Sequence, residues 1–295
     1  MTRLPDDITQ ISQLIVFLTK QFEAAGIDTA GLDARLLVQH VGGLSHSDII
    51  AKPHHELSPE ETEALTILLQ RRLKREPLSR LIGETEFWSL PFQISSDTLD
   101  PRPDTETLIE HALHMIGARK ATPLRLLDLG TGTGCILLSL LHELPEATGL
   151  GVDLNPGAVE IARKNALNLS LENRAKFQQS DWFSTIDGKF DVILSNPPYI
   201  PECDLAHLMP EVRDFDPVLA LNGGETGLFP YEIIFKQVIN YLKQDGILIF
   251  EFGQNQEKQL IDLLNKSPIG CFIETLEQRS DLAGIIRTIG VKFRF

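Results

Sequence analysis

Residues 195–201 read Ser-Asn-Pro-Pro-Tyr-Ile-Pro and follow an apolar run, Phe190 to Ser195, of strand character. Proline fixes φ and carries no N–H, so Pro197 and Pro198 remove two backbone donors and leave carbonyl oxygens free to accept. Asn196 adds a side-chain amide oxygen. Two acceptors held rigidly suit a planar –NH2 group, and Tyr199 offers a ring against that plane. The nitrogen of an amide or aryl amine has a delocalised lone pair and is a poor nucleophile. Hydrogen bonds from both of its N–H groups orient it and stabilise the charge that grows as it attacks. Positioning of this kind is worth up to ~7–11 kcal/mol in favourable systems. No strong base is required, because the substituted nitrogen becomes acidic and loses its proton afterwards. Asn-Pro also marks ordinary turns, so a rigid strand-ending turn stays open on these residues alone.

A second stretch, LLDLGTGTGCILLSL (126–140), reads as strand, turn and helix. Gly130, Gly132 and Gly134 alternate with Thr131 and Thr133, and glycine lets a ligand approach the backbone closely. Free N–H groups at the helix start add to that capacity. Asp153 ends the next strand about twenty residues on, where an acid accepts from ribose hydroxyls. By itself the loop also reads as a tight turn. Its spacing is not the dinucleotide G-x-G-x-x-G, and Asp128 precedes it. D-L-G-x-G-x-G resembles the first motif of the S-adenosylmethionine-dependent methyltransferases. That resemblance implies S-adenosyl-L-methionine as cofactor and S-adenosyl-L-homocysteine as product. The loop would lie beside the amino-acid part, and Asp153 would hold the ribose. Ser180-Asp181-Trp182-Phe183 falls where adenine sits in that fold. Asp181 is then an acceptor for the adenine amino group and Trp182 a surface for the ring, although Trp182 alone also reads as a half-buried core aromatic. Asn196 would face the methyl group.

These residues need a frame, and the apolar spacing supplies one. Strand-like runs at 124–129, 148–153, 175–179, 190–195 and 246–252 alternate with helical patterns at 135–144, 156–168 and 229–243. Such alternation implies crossover units and a mainly parallel sheet with helices on both faces. Residues 270–277 and 284–294 read as a closing hairpin, for seven strands in all. The fold class expected is α/β by this alternation, and the resemblance above implies a Rossmann-like seven-stranded methyltransferase sheet, here preceded by a small all-helical unit. In that unit Ile8, Ile11, Leu14, Ile15, Leu18 and Phe22 form a stripe that stops near Gly26. A second helix spans about Leu32 to Val41 and ends in Gly42-Gly43. A third starts at the cap Ser58-Pro59-Glu60-Glu61 and continues to about Lys74. Phe87, Trp88, Phe92 and Ile94 around Leu90-Pro91 predict a short hairpin. Asp104 and Glu106 suit the first turn of a helix over Leu108 to Met115. The domain boundaries expected are 1–82 helical, 83–100 hairpin linker and 101–295 methyltransferase domain.

Bulk properties narrow the partners. The chain has 295 residues and a net charge of −14. That charge argues against a protein whose main task is gripping nucleic acid, since phosphate neutralisation needs basic surface. Cys135, Cys203 and Cys271 lie far apart without C-x-x-C spacing, and the eight histidines show no ligand spacing, so no metal is expected. The first ten residues lack the apolar core of a secretory leader, and no run approaches the ~18 apolar residues of a membrane span. A cytoplasmic protein, off the membrane and monomeric, is expected. Arg71-Arg72-Leu73-Lys74-Arg75 reads as a solvated helix face or as a contact for an acidic partner. Arg102 reads as a cavity residue or a structural turn, and Glu251 as a residue of the same sheet edge. Cys135 reads as packing, since nothing near it resembles a base.

The set EFWSLPF (86–92), PRPDTE (101–106), DLGTGTG (128–134), SDWF (180–183), NPPYI (196–200) and EVRDFDPVLALNGGETGL (211–228) together resembles the peptide-chain release-factor glutamine methyltransferases. The motifs fall in that family's order over nearly the whole chain. The resemblance implies methylation of the side-chain amide nitrogen of the glutamine in the Gly-Gly-Gln motif of bacterial-type release factors. It implies cofactor contacts at Gly130 to Gly134, Asp153, Trp182 and Asn196, and substrate contacts at Asn196, Pro197, Pro198 and Tyr199. It also gives the helical unit a part in docking the release factor. A sister family acts on a ribosomal-protein glutamine and shares NPPY, but its segment matching PRPDTE reads nearer P-R-S-P. Pro103 to Glu106 therefore favour the release-factor branch. DLAG (281–284) and Arg287 fit as well, with Ile285-Ile286 more apolar than the family pattern. Two other readings are an amino-methyltransferase acting on nucleic-acid bases and a non-catalytic binding module that kept the fold.

Overall fold

The apolar stripe of the first helix forms as spaced: Ile11, Leu14, Leu18 and Phe22 are all fully buried on one face of α1 (Ile11–Ala24). The structure, a computed structural model, describes residues 3–5 and 8–295, so the leader-type reading of the first ten residues falls partly outside it. Helix α1 starts at Ile11 rather than Ile8 because Gln10 is extended and pairs with Glu56. It faces α2 (Ala30–Gly42), which ends at the left-handed Gly43, φ 60°. Leu37 and Val38 of α2 meet Leu65 and Leu69 of α4 (Pro59–Arg72) in one core. Ser58 caps α4 as expected, accepting from the Glu61 N–H while the Glu61 carboxylate takes the Ser58 N–H at 2.7 Å. Two short helices escape the periodicity, α3 (His46–Ala51) and α5 (Leu78–Ile82). Each is shorter than two turns, too short to show a 3.6-residue repeat. The first carries its own capping box, Ser45 with Asp48.

The basic run is only partly a solvated face: Lys74 is exposed and Arg71 half-exposed beside Glu76. Arg72 is buried, with its guanidinium 2.7 Å from Asp33 and 3.3 Å from Glu211. Arg75 lies 2.6 Å from the same Glu211 and donates to the carbonyl of Gly26. Glu211 belongs to this unit by its contacts, since the chain divides into the residues up to Gly83 together with Met209–Phe215, and Glu84–Leu208 together with Asp216–Phe295. A repeat-based reading misses this, because the partner acids are remote in sequence.

The second unit begins with the expected hairpin, β1 (Glu84–Phe87) and β2 (Leu90–Gln93). Its two turn residues, Trp88 and Ser89, both have positive φ, 54° and 58°, the twist that a two-residue hairpin turn needs. Glu106 compensates by accepting the Trp88 N–H at 2.7 Å, at the start of α6 (Glu106–Ile116). The sheet follows with β3 (Arg125–Leu129), α7 (Cys135–Glu143), β4 (Thr148–Asp153), α8 (Pro156–Asn168), β5 (Ala175–Gln179) and β6 (Phe190–Ser195). The short α9 (Pro210–Arg213), in the segment assigned above to the first unit, precedes α10 (Phe229–Gln237), β7 (Leu242–Glu251), α11 (Glu257–Lys266), β8 (Ile273–Ser280) and β9 (Ile286–Phe293). Strand order is β5-β4-β3-β6-β7-β9-β8, parallel except for the final antiparallel hairpin.

Period-two alternation sends Leu126, Val192, Leu194, Ile247 and Ile249 to the face covered by α6 and α7. Leu127, Leu129, Ile193, Leu248 and Phe250 go to the face covered by α10 and α11. Two boundaries differ from the pattern. Helix α10 stops at Gln237 and β7 begins at Leu242, because Leu242 pairs with Phe190 across the sheet. Strand β8 begins at Ile273, since Gly270–Phe272 forms a 3-10 turn. No described helix is long and apolar enough to cross a membrane.

Removing Arg72 strands the buried Asp33 carboxylate, and breaking a buried pair from one side costs roughly 3–5 kcal/mol. Urea unfolding of Arg72→Met should show a loss of that order, and the pair Arg72→Met/Asp33→Leu should recover most of it.

Candidate active site

Strand register sets the site. Leu129 at the end of β3 pairs with Val152 of β4 on one side and with Ser195 of β6 on the other. Ser195 in turn pairs with Phe250 of β7. The next residue along each of these strands is Gly130, Asp153, Asn196 and Glu251, so the four stand in a row along the C-terminal edge. Ligands bind at that edge in open α/β sheets.

The glycine loop needs its glycines. Gly130, Gly132 and Gly134 all have positive φ, 72°, 53° and 80°, a region that strains side-chain-bearing residues. The loop is tied down at both ends. Gly130 and Thr131 donate their N–H groups to the Val152 carbonyl, each at 2.9 Å, and Gly132 donates to Asp153 Oδ2 at 2.9 Å. Asn155 N–H takes the other carboxylate oxygen, which leaves each oxygen of Asp153 a lone pair. Burial raises the Asp153 pKa against these donors. Asp128 is fully buried beneath the loop, accepting from the Thr131 hydroxyl at 2.6 Å. Burial pushes its carboxyl up to about 7, and its Oδ1 has no partner. Cys135 is buried too, with its thiol pushed to about 12, so it stays protonated and packs.

The Asn-Pro-Pro-Tyr turn is held from behind. The Ile200 N–H donates to Leu221 and the Ile200 carbonyl accepts from Gly223, at 3.0 and 2.9 Å. Gln256 Nε2 donates to the Tyr199 carbonyl at 2.9 Å. The clamp depends on Gly227, φ 76°, because a Cβ there would run into the Tyr199 carbonyl and the Gln256 amide. Asn196 Nδ2 donates to Thr105 Oγ1 at 3.2 Å.

A cavity of about 370 Å³ opens over this edge. Gly130, Thr131, Gly132, Thr133, Asp153, Asp181, Trp182, Asn196 and Pro198 all line it. Three residues named from the sequence stand back from its wall. Gly134 packs against α8, where a Cβ would come within 3.2 Å of Ala162. Pro197 is buried behind the turn. The Tyr199 ring, offered to a substrate plane from the sequence, packs on the hydrophobic core of the α10–α11 face, and its hydroxyl makes a long 3.5 Å contact with Glu251. Trp182 has φ 49°, unusual for a bulky residue and a mark of local constraint. Arg102 is both of the things it could be: it lines the cavity and pairs with the buried Asp216 at 2.7 Å. Sequence reasoning missed Thr105 as a site residue, although PRPDTE contains it, and missed Asp97, whose side chain accepts from Asn155 at 3.2 Å beside the cavity.

A seven-stranded sheet closed by one antiparallel hairpin, with a glycine loop after β3 and an acid at the end of β4, defines a class I methyltransferase. Residues 13–83 match the family described as PrmC N-terminal domain, and residues 121–280 match a methyltransferase domain. The release factor glutamine methyltransferase of Rhodospirillum rubrum is 46% identical over 264 residues, which span 90% of this chain and 79% of that protein. Its counterpart from Bradyrhizobium diazoefficiens is 41% identical over 276 residues, 93% of this chain and 92% of that one. The solved hMettl16 catalytic domain is similar in fold, with a TM-score of 0.54 at 15% identity, over 81% of this chain and 83% of that one. The chain belongs to the release factor glutamine methyltransferase family.

Two outcomes test this geometry. Gly227→Ala should displace the Tyr199–Ile200 backbone and lower both thermal stability and activity, whereas an alanine variant indistinguishable from wild type would refute the clamp. Asp128 has a folded pKa, about 7, above its ordinary 3.8. The folded state therefore binds the extra proton, and stability from this group is complete below pH ~4 and is lost as pH rises through about 7. Denaturant titrations at successive pH values should show that decline in wild type and a shallower one in Asp128→Asn.

Proposed function

We propose that this protein transfers a methyl group from S-adenosyl-L-methionine to the side-chain amide nitrogen of a glutamine, that of the Gly-Gly-Gln motif of peptide-chain release factors. The observation that carries the reading is the placement of Asn196, on a donor-free prolyl turn, beside the glycine loop and Asp153 at one sheet edge. The identity to release factor glutamine methyltransferases over most of both chains supports the substrate.

The residues present fit the cofactor. A Cβ added at Gly130 or Gly132 meets no protein atom, so both glycines leave open cavity space where an amino-acid part can lie. Asp153 keeps lone pairs for ribose hydroxyls. Asp181, exposed at the cavity wall, and Trp182 beside it suit an adenine amino group and ring. When bound, S-adenosyl-L-methionine supplies an electrophilic methyl carbon.

The protein's own part is to position a weak nucleophile. With Nδ2 committed to Thr105, Asn196 directs Oδ1 outward as an acceptor. Main-chain carbonyls of the prolyl turn supply the second acceptor, and the prolines cannot donate in competition. A primary amide fits this pair through both N–H groups, which fixes the plane of its nitrogen and stabilises positive charge developing there. Water takes the proton that the nitrogen then releases. Tyr199 shapes the turn from beneath, and the helical unit docks the release factor.

The test uses purified protein, S-adenosyl-L-methionine and an unmodified release factor, with fragmentation mass spectrometry of the Gly-Gly-Gln peptide. One methyl on that glutamine is expected. Asn196→Ala should reduce the rate roughly 10²–10³-fold, the scale of losing one charge-stabilising contact. A peptide left unmodified by wild type that still binds the cofactor would refute the substrate.

A further inference from the structure

Glu251 is an acid in a place where the methyl transfer needs none. It ends β7 one step across the sheet from Asn196 and is 3% exposed. Its main-chain carbonyl accepts from the Tyr231 hydroxyl at 2.8 Å, and Oε1 has only the long Tyr199 contact. Oε2 has no partner within hydrogen-bonding distance. The Thr105 hydroxyl and the Asn196 amide lie close enough to this carboxylate to favour its ionised form, without either closing a hydrogen bond to it.

Hydrogen-bond polarity follows from the inventory of donors. An ionised carboxylate only accepts, and a hydroxyl has a single hydrogen. Directed at Glu251, the Thr105 hydrogen leaves its lone pairs to face Asn196, and only the nitrogen end of that amide can donate to them. Oδ1 must then point into the cavity. Were the Thr105 hydrogen turned toward Asn196, the amide would flip and present N–H to the cavity, and a donor cannot hold an –NH2 group.

Resting on the reading of the site as a glutamine-amide methyltransferase, we infer that Glu251 is a positioning residue which, through the Thr105 hydroxyl, sets Asn196 as a hydrogen-bond acceptor toward the substrate nitrogen. Burial pushes the Glu251 carboxyl up to about 7, so its charge changes across the neutral range. The titratable groups around it are Tyr199 on the turn, Tyr231 on α10, Asp104 before α6, Arg287 on β9 and Cys135 on α7. Arg287 is engaged by Asp281 and Asp104, at 2.7 and 2.8 Å, and moderates the acid rather than pairing with it.

The experiment compares wild type, Glu251→Gln, Thr105→Val and Thr105→Ser. In wild type, kcat should rise as pH passes through about 7. Glu251→Gln should lose that limb and roughly 10–100-fold in kcat, the scale of losing a group that orients a contacting residue, with the melting temperature unchanged and KM for the release factor and Kd for S-adenosyl-L-homocysteine held within about twofold, the pattern expected when only transition-state contacts are lost. Thr105→Val should match it, and Thr105→Ser should recover most of what valine loses. A readout without turnover is the Asn196 side-chain NH2 signal in 15N-labelled protein. That signal should titrate near neutral pH in wild type and stand still in Glu251→Gln. An Asn196 signal indifferent to both pH and Glu251→Gln, or a Glu251→Gln enzyme with wild-type kcat and pH profile, overturns the inference. Wild type that methylates nothing overturns the proposed function instead, and the NMR titration still decides the role of Glu251.

Discussion

Everything chemical in this protein depends on the register of four parallel strands. Leu129 must stand level with Val152 and Ser195, and Ser195 with Phe250, for the loop glycine, the two acids and the asparagine to emerge together. A slip of one residue in β6 would turn Ile193 to the wrong face and take Asn196 with it. The far end of the strand guards against this. Asp191 accepts the Arg125 N–H of β3 at 2.8 Å and pairs with Lys243 of β7 at 2.7 Å, so β6 is pinned to both neighbours before its functional end is reached.

The site built on that edge is rigid but electrostatically uneasy. Asp128, Asp153 and Glu251 lie at or near it, and burial raises the pKa of each. Such acids add nothing to stability as charges. They act by accepting: Asp128 holds Thr131, and Asp153 holds Gly132. Local choices that cost stability at a site are supported by regular packing elsewhere, and here the two sheet faces provide it.

Much of this was legible in the sequence because it is local. The parallel strands β3 to β6, the α4 cap and the glycine loop each announce themselves within a few residues, and Asp153 and Asn196 follow from strand ends. What was not legible involves pairs distant along the chain. Thr105 joins Asn196 across 91 positions, and Arg72 joins Glu211 across 139. The same holds for Tyr199, whose ring packs on the core beside Gly253 and whose carbonyl accepts from the Gln256 amide, both beyond the end of β7. Periodicity also fails for α3 and α5, which are too brief to repeat.

The chain's path through its two units has a consequence for how the molecule can be taken apart. Seven residues, Met209–Phe215, lie between β6 and α10 in sequence yet belong with the helices, and they are followed at once by Asp216, which holds the cavity residue Arg102. The helical unit is thus neither a tag nor an appendage that a single cut could remove. A fragment starting at Glu84 would carry Glu211 without Arg72 and Arg75. An exchange of the helical unit that keeps these ion pairs must therefore move two separate stretches of the chain together, the residues up to Gly83 and Met209–Phe215.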